Sequence, residues 1–421
     1  MSSWLPIHCR ECYSRTIWHR TYRINRTLLW MALAMTFLFS LHSLLRHLKP
    51  DYAHITSVSR YRIHFQWPLG NQTNVDLTNA TTFPSHPGTA PASTEGLSEY
   101  ELGSNGTRRA NAVLLMLVRN SELEGALRSV TQLEDRFNHL FGYPWVFLNE
   151  VPFTDEFKEK MSAAIAGPVS FGLIPKEDWY QPGWIDEEKA AASRAQMEAN
   201  NVVYGGSVSY RNMCRFNSGF FYRHPLAQRY KWYWRVEPGV SFHCDTDYDP
   251  FLFMEEHDKV YGFTISLQEW PPTVPTLWDA VKEYIAANPQ HVAPNNSMAF
   301  LSDDGGNSYN MCHFWSNFEI ANMEFWRGEV YSKFFEHLES KGGFYYERWG
   351  DAPVHSIGAA LFARKDQIHF FDDIGYQHPP FMHCPRLHSV RQERNCSCTQ
   401  YQSFDNNMYS CLRKWEQVVR S

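Results

Sequence analysis

The sequence has no glycine-rich phosphate loop. Neither G-x-G-x-x-G nor a Walker sequence follows its first strand-like run, at 112–118, which disfavours a dinucleotide enzyme or a P-loop ATPase. It has no surplus of basic charge either: 39 Lys and Arg stand against 45 Asp and Glu, a net of −6. The deficit is unevenly spread. Residues 1–49 hold seven of those basic residues and one of the acids, leaving 32 against 44 and a net of −12 for the rest. Binding nucleic-acid phosphates needs a basic face, so a nucleic-acid partner is disfavoured. There is no internal repeat, and no clear small-residue cleavage site follows the apolar segment near the N-terminus, which argues against a cleaved signal peptide.

What is present is the composition of a folded protein: 421 residues, 43% hydrophobic and 16% aromatic, with 15 Trp. At roughly 100–200 residues per domain this allows two or three domains. Residues 27–45, TLLWMALAMTFLFSLHSLL, carry no formal charge, and about 20 such residues span a bilayer as a helix. Five arginines (Arg10, Arg15, Arg20, Arg23, Arg26) precede the segment, and only Arg46 and Lys49 follow it closely. The positive-inside rule then predicts a cytoplasmic tail over 1–26, a transmembrane signal anchor over 27–45 and a lumenal remainder. Residues 46–107, rich in Ser, Thr, Pro and Gly, read as a largely disordered stem, and 108–421 as the lumenal globular domain. Asn71, Asn79, Asn105, Asn295 and Asn395 each begin an Asn-x-Ser/Thr sequon, which has meaning only in the secretory pathway.

Cysteine usage agrees. Cys9 and Cys12 fall on the cytoplasmic side, too few ligands for a zinc site. Cys214, Cys244, Cys312, Cys384, Cys396, Cys398 and Cys411 fall on the other. An oxidising compartment favours disulfides over zinc for the late cluster, and an odd number leaves one thiol free or paired with another chain.

Within the globular part, apolar runs at 112–118, 145–148, 169–174, 231–236 and 261–267 read as strands. Leu123, Leu127, Val130, Leu133, Phe137 and Leu140 recur at helical spacing after a Ser121–Glu124 capping-box pattern. Thr154 opens a second helix, and another spans 328–340 with Gly342 and Gly343 to stop it. Such alternation predicts an α/β fold with a mainly parallel sheet, whose ligands sit beyond the carboxyl ends of the strands. Residues 385–421 read as an irregular, disulfide-tied tail.

Four segments carry candidate chemistry. In W-R-V-E-P-G-V-S-F-H-C-D-T-D-Y-D (234–249), Glu237 and Asp245-Thr246-Asp247 compete as holders of a divalent cation that would neutralise a leaving diphosphate. In Y-N-M-C-H-F-W-S-N-F-E-I (309–320), Glu319 is either a paired core acid or a reactive group in an aromatic setting. In S-Y-R-N-M-C-R-F-N-S-G (209–219), Arg211 and Arg215 beside Tyr210, with Ser218, suit a diphosphate or a stacked base, or else structural ion pairs. Beyond R-W-G-D-A-P-V-H-S (348–356), His378 in Gln377-His378-Pro379-Pro380 is a candidate metal ligand or a plain loop residue among 19 histidines.

These four strings, in this order over about residues 108–411, resemble the fungal Golgi α-1,2-mannosyltransferases, glycosyltransferase family 15 (the Kre/Mnt/Ktr group). The tail, anchor and stem are similar to that family's layout. The resemblance implies a modified GT-A fold, a Rossmann-like, largely parallel mixed sheet flanked by helices. It also implies GDP-mannose as donor, Mn²⁺ as the metal, retention of anomeric configuration, and a mannosylated glycan or glycoprotein as acceptor. Position by position, Glu237 and His378 match the family's metal ligands, Glu319 its proposed nucleophile and Tyr210 a tyrosine near the donor sugar. Arg211, Arg215 and Ser218 fall in the donor-side string, and Asp351 is a candidate acid near the acceptor. On this reading Asp245-Thr246-Asp247 is a decoy. Two rivals remain: a lumenal glycosidase, which also uses two carboxylates, and a glycan-binding protein that has kept the fold without activity.

Overall fold

The computed structural model describes residues 108–420. The expected tail, anchor and stem, with Asn71, Asn79, Asn105, Cys9 and Cys12, lie outside the described residues. Among the described residues no helix is long and apolar enough to cross a membrane.

The core is a seven-stranded sheet. In sequence order its strands are β1 (Ala112–Leu117), β2 (Trp145–Asn149), β3 (Val169–Leu173), β4 (Trp232–Arg235), β6 (Tyr261–Phe263), β9 (Glu319–Asn322) and β10 (Ile368–Phe370). In space they run β10-β6-β9-β4-β1-β2-β3. β1 is parallel to β2 and to β4, β2 to β3, and β10 to β6, while β9 runs antiparallel to both β4 and β6. The sheet is therefore largely parallel, as expected, with one reversed strand near its middle. The near-continuous apolar run of β1, AVLLML, follows from burial on both faces: Val113 and Leu115 pack into one core, Leu114 and Met116 into the other.

Two smaller sheets flank this one. β5 (Ser241–Phe242), β11 (Tyr376–His378) and β12 (Phe381–His383) form an antiparallel trio, and β7 (Ser266–Gln268) pairs antiparallel with β8 (Cys312–Phe314). The single strand expected over 261–267 is thus two strands in different sheets. Thr264 and Ile265, both buried, carry the chain from one to the other.

Thr154 caps its helix, Asp155–Ala164, by accepting a hydrogen bond from Phe157 N at 3.2 Å. The helix expected through Leu140 is regular over Leu123–Leu133, widens to a π-turn at Glu134–Asn138 and ends at His139–Phe141 before Gly142 at φ +67°. Its expected Ser121–Glu124 box is displaced: Glu122 Oε2 instead accepts from Arg119 N at 2.8 Å, at the head of a 3-10 turn. The helix Glu329–Lys341 stops at Gly342, φ +70°, a backbone region that glycine enters without steric cost.

The tail is less irregular than expected. It closes with a helix, Leu412–Arg420, whose Leu412, Trp415 and Val418 are buried, and Trp415 packs edge-on to Phe263, Phe300 and Phe314. The expected disulfides are Cys244–Cys396, Cys312–Cys411 and Cys384–Cys398, and the odd thiol is buried Cys214. The first two close loops of 152 and 99 residues, and restricting a loop near 100 residues removes about 4.7 kcal/mol of unfolded-chain entropy in the polymer account.

Candidate active site

A cleft of about 740 Å³ opens beyond the carboxyl ends of β1 and β4, where an open α/β sheet places its ligands. Tyr210, Glu237, Glu319, Asp351 and His378 all line it. Backbone register assembles the centre. Arg235, last residue of β4, lies directly opposite Glu319, first residue of β9, and opposed residues on antiparallel strands share a face. Glu237 follows Arg235 by two positions and returns to the same side.

Arg235 is the hub. Its Nη1 donates to Asp351 Oδ2 at 2.6 Å and lies 3.7 Å from Glu319 Oε1, while its Nη2 donates to Glu237 Oε1 at 2.6 Å. Burial alone would lower its pKa, but Asp351, Glu237 and Glu319 more than offset this and hold it raised. Glu319 is fully buried. It accepts from Tyr233 Oη at 3.1 Å, and both its oxygens face His355 Nδ1, at 3.0 and 3.2 Å. Asp351 Oδ2 also accepts from Ser316 Oγ at 2.8 Å.

Glu237 Oε2 and His378 Nε2 face each other at 3.4 Å. Burial pushes the Glu237 carboxyl up, but Arg235 and His378 pull it further the other way, to about 2. Burial likewise lowers His378, and the bond to Glu237 outweighs it and raises it. His378 sits at the end of β11, donates from Nδ1 to Pro379 O at 3.0 Å, and packs against the edge of Trp315. The two donor atoms fit a divalent cation. Their separation suits neighbouring positions around one ion, and cations bound with nucleotides commonly take only one or two protein ligands, leaving the rest to phosphate and water. Among the described residues no group of three or more acidic, His or Cys side chains is placed to hold a metal.

Tyr210 is in the first turn of the helix Val208–Gly219, which Ser207 caps by accepting from Tyr210 N at 3.1 Å. Its ring stacks on Tyr204 at 4.5 Å and lies 5.1 Å from the Arg348 guanidinium. Burial raises its phenol well above the ordinary value.

Three expected donor-side residues do not reach the cleft. Arg211 is fully buried, donating to the carbonyls of Glu347 (2.9 Å) and Ser207 (3.0 Å), and burial lowers it to about 10. Arg215 pairs with Glu339 at 2.7 Å and lies over Phe220. Ser218 Oγ donates to Cys214 O at 2.7 Å. The reason is helical geometry: 211, 215 and 218 fall on one side of the helix, at i, i+4 and i+7, and that side faces the core. The cleft instead receives Tyr210, Met213 and Asn217. Asp245 and Asp247 are also elsewhere. Asp245 is bound to Arg136 at 2.8 Å and to Asn395 Nδ2 at 2.8 Å, and Asp247 to Arg394 at 2.9 Å, beside the disulfide-tied tail.

Sequence reasoning missed Arg235, His355, Arg348, Glu269 and Arg119 as cleft or supporting residues. Arg235 and His355 both stand inside the strings quoted above. Only tertiary register, across 84 and 36 residues of chain to Glu319, brings them to it.

Residues 74–420 match the model of a protein family described as glycolipid 2-alpha-mannosyltransferase. The chain is 53% identical to glycolipid 2-alpha-mannosyltransferase 2 of Candida albicans over 73% of this chain and 67% of that one. It is 50% identical to the O-glycoside alpha-1,2-mannosyltransferase omh1 of Schizosaccharomyces pombe over 73% and 78%. Its fold is similar to the Mn/GDP-form crystal structure of core-mannan synthase A (CmsA/Ktr4) from Aspergillus fumigatus, with a TM-score of 0.71, 43% identity, and 78% and 92% of the two chains covered. With a mixed, largely parallel sheet and the facing Glu237–His378 pair at its carboxyl edge, the chain belongs to the glycolipid 2-alpha-mannosyltransferase family.

Proposed function

We propose that this chain is a retaining α-1,2-mannosyltransferase of modified GT-A fold, moving mannose from GDP-mannose to a hydroxyl of a mannosylated glycan or glycoprotein with Mn²⁺ bound. The observation that carries this is the meeting, in one cleft, of the Glu237–His378 donor pair and buried Glu319, joined by Arg235. The Mn/GDP form of a relative at 43% identity supports the choice of metal and nucleotide. When bound, the divalent cation neutralises charge on the leaving diphosphate. Glu237 and His378 hold it, and Arg235 keeps Glu237 ionised. Cleavage at the anomeric carbon passes through an oxocarbenium-like state. Glu319 is the carboxylate that attacks that carbon or steadies its charge, and retention follows from two inversions or from same-face attack by the acceptor. Tyr210 stands by the donor sugar. Asp351 holds Arg235 in place on the acceptor side.

The proposal includes a setting: a Golgi membrane protein of type II topology, anchored through 27–45 with the catalytic part lumenal. The arginines before that segment and the acidic, disulfide-bearing domain after it support this. The test is incubation of residues 108–421 with GDP-mannose, Mn²⁺ and a panel of α-mannosides, with products analysed for linkage and anomeric form. An α-1,2-linked product formed only with metal is expected. Hydrolysis of mannosides without nucleotide would point to a glycosidase, and binding without turnover to a glycan-binding protein.

A further inference from the structure

The helix Asp351–Phe362 opens with Asp351 and carries His355 four residues on, so both side chains stand on one face, one turn apart. Asp351 fixes Arg235. His355 fixes the acid beside it, with Nδ1 at 3.0 Å from Glu319 Oε2 and 3.2 Å from Oε1. Both residues of this pair are completely buried. The imidazole lies flat on Trp326, ring centres 4.4 Å apart, with Tyr331 and Phe221 at 6.0 Å. Its Nε2 is buried with no hydrogen-bond partner. The other groups facing Glu319 are Tyr233, Arg235, Tyr261 and Tyr331.

We propose that His355 is a positioning residue for Glu319, holding its carboxylate aimed into the cleft. The inference rests on the role given to Glu319 above. The physical case has three parts. Nδ1 faces only carboxylate oxygen and so carries the proton. The Trp326 stack fixes the ring, so the donor cannot swing away. A purely structural histidine in this slot would be expected to satisfy both nitrogens, whereas this one spends its single N–H on Glu319 and leaves Nε2 bare. His355 therefore supplies a fixed donor that, with Tyr233 Oη and the Arg235 guanidinium, sets where the Glu319 carboxylate points.

The test compares His355→Phe, which refills the ring-shaped slot without a donor, with His355→Gln, which restores an N–H. In His355→Phe, kcat for transfer should fall at least about 100-fold, while KM for GDP-mannose and Mn²⁺-dependent protection by GDP against heat stay within about threefold of the parent protein. His355→Gln should recover part of kcat. Adding His355→Phe to Glu319→Gln should cost little more than Glu319→Gln alone. A folded His355→Phe protein with parental kcat would overturn the proposal, as would a folded His355→Gln protein with no more activity than His355→Phe. If Glu319→Gln itself turns over normally, the reading of Glu319 fails instead.

Discussion

Two acidic stretches eight residues apart invite the same assignment and behave differently. Glu237 lies two residues past the end of β4 in the cleft, tied on one oxygen to Arg235 and facing His378 with the other. Asp245 and Asp247 form the Asp-x-Asp that a motif scan would choose. Yet Arg136, Asn395 and Arg394 occupy them at a surface held by Cys244–Cys396. The difference is what surrounds the carboxylate. Glu237 faces an imidazole nitrogen that can share a cation with it, whereas Asp245 and Asp247 face two arginines and an asparagine amide nitrogen, none of which can ligate one.

Removing cleft acid should cost chemistry, and removing its counterparts outside should cost only stability. The largest expected effect is on Glu319→Gln. Transfer should fall at least about 100-fold, while heat protection by GDP with Mn²⁺ survives, as measured by product formation and thermal shift on the same preparation. Near-normal turnover would erase the distinction between the two regions. Next comes Arg215, an arginine that sequence placed with the donor and structure placed in the core. Arg215→Met strands Glu339, and breaking a buried pair costs about 3–5 kcal/mol, visible in denaturant unfolding. The folded fraction should keep its KM for GDP-mannose, and a large rise in that KM would restore Arg215 to the donor site.

A smaller effect separates the tail by pH. Burial lowers His383, but the Asp405 carboxylate 2.9 Å away outweighs it and leaves the imidazole raised above its ordinary value. A raised histidine contributes stability that is whole below the unfolded value and fades as pH climbs through the folded one. The melting temperature should therefore decline by a few degrees from about pH 6 to about pH 8, and His383→Gln should flatten that slope. A slope unchanged in the variant would assign it to other groups.

The alternation of strand and helix was legible because β1 is apolar throughout, β2 is apolar up to Asn149, and Thr154 is a strong cap. The candidate cation ligands came from resemblance, not spacing, since 141 residues separate Glu237 from His378. What stayed hidden depends on tertiary placement. The Arg235–Glu319 juxtaposition is a matter of strand register. The break between β6 and β7 is a change of sheet within one apolar run. The inward turn of Arg211 and Arg215 depends on which side of their helix meets the core, and the sequence around them is polar on both sides. The closing helix was masked by a stretch whose apolar residues are few: Leu412, Trp415 and Val418 carry its whole buried stripe.

The comparison between the two acidic stretches is tested most directly by titrating GDP against Glu237→Ala and Asp245→Ala proteins, with and without Mn²⁺, by calorimetry. The account predicts that Glu237→Ala loses at least about tenfold in metal-dependent affinity, while Asp245→Ala stays within about twofold of the parent, as expected for a surface ion pair. A metal-dependent loss in Asp245→Ala with Glu237→Ala unaffected would contradict it.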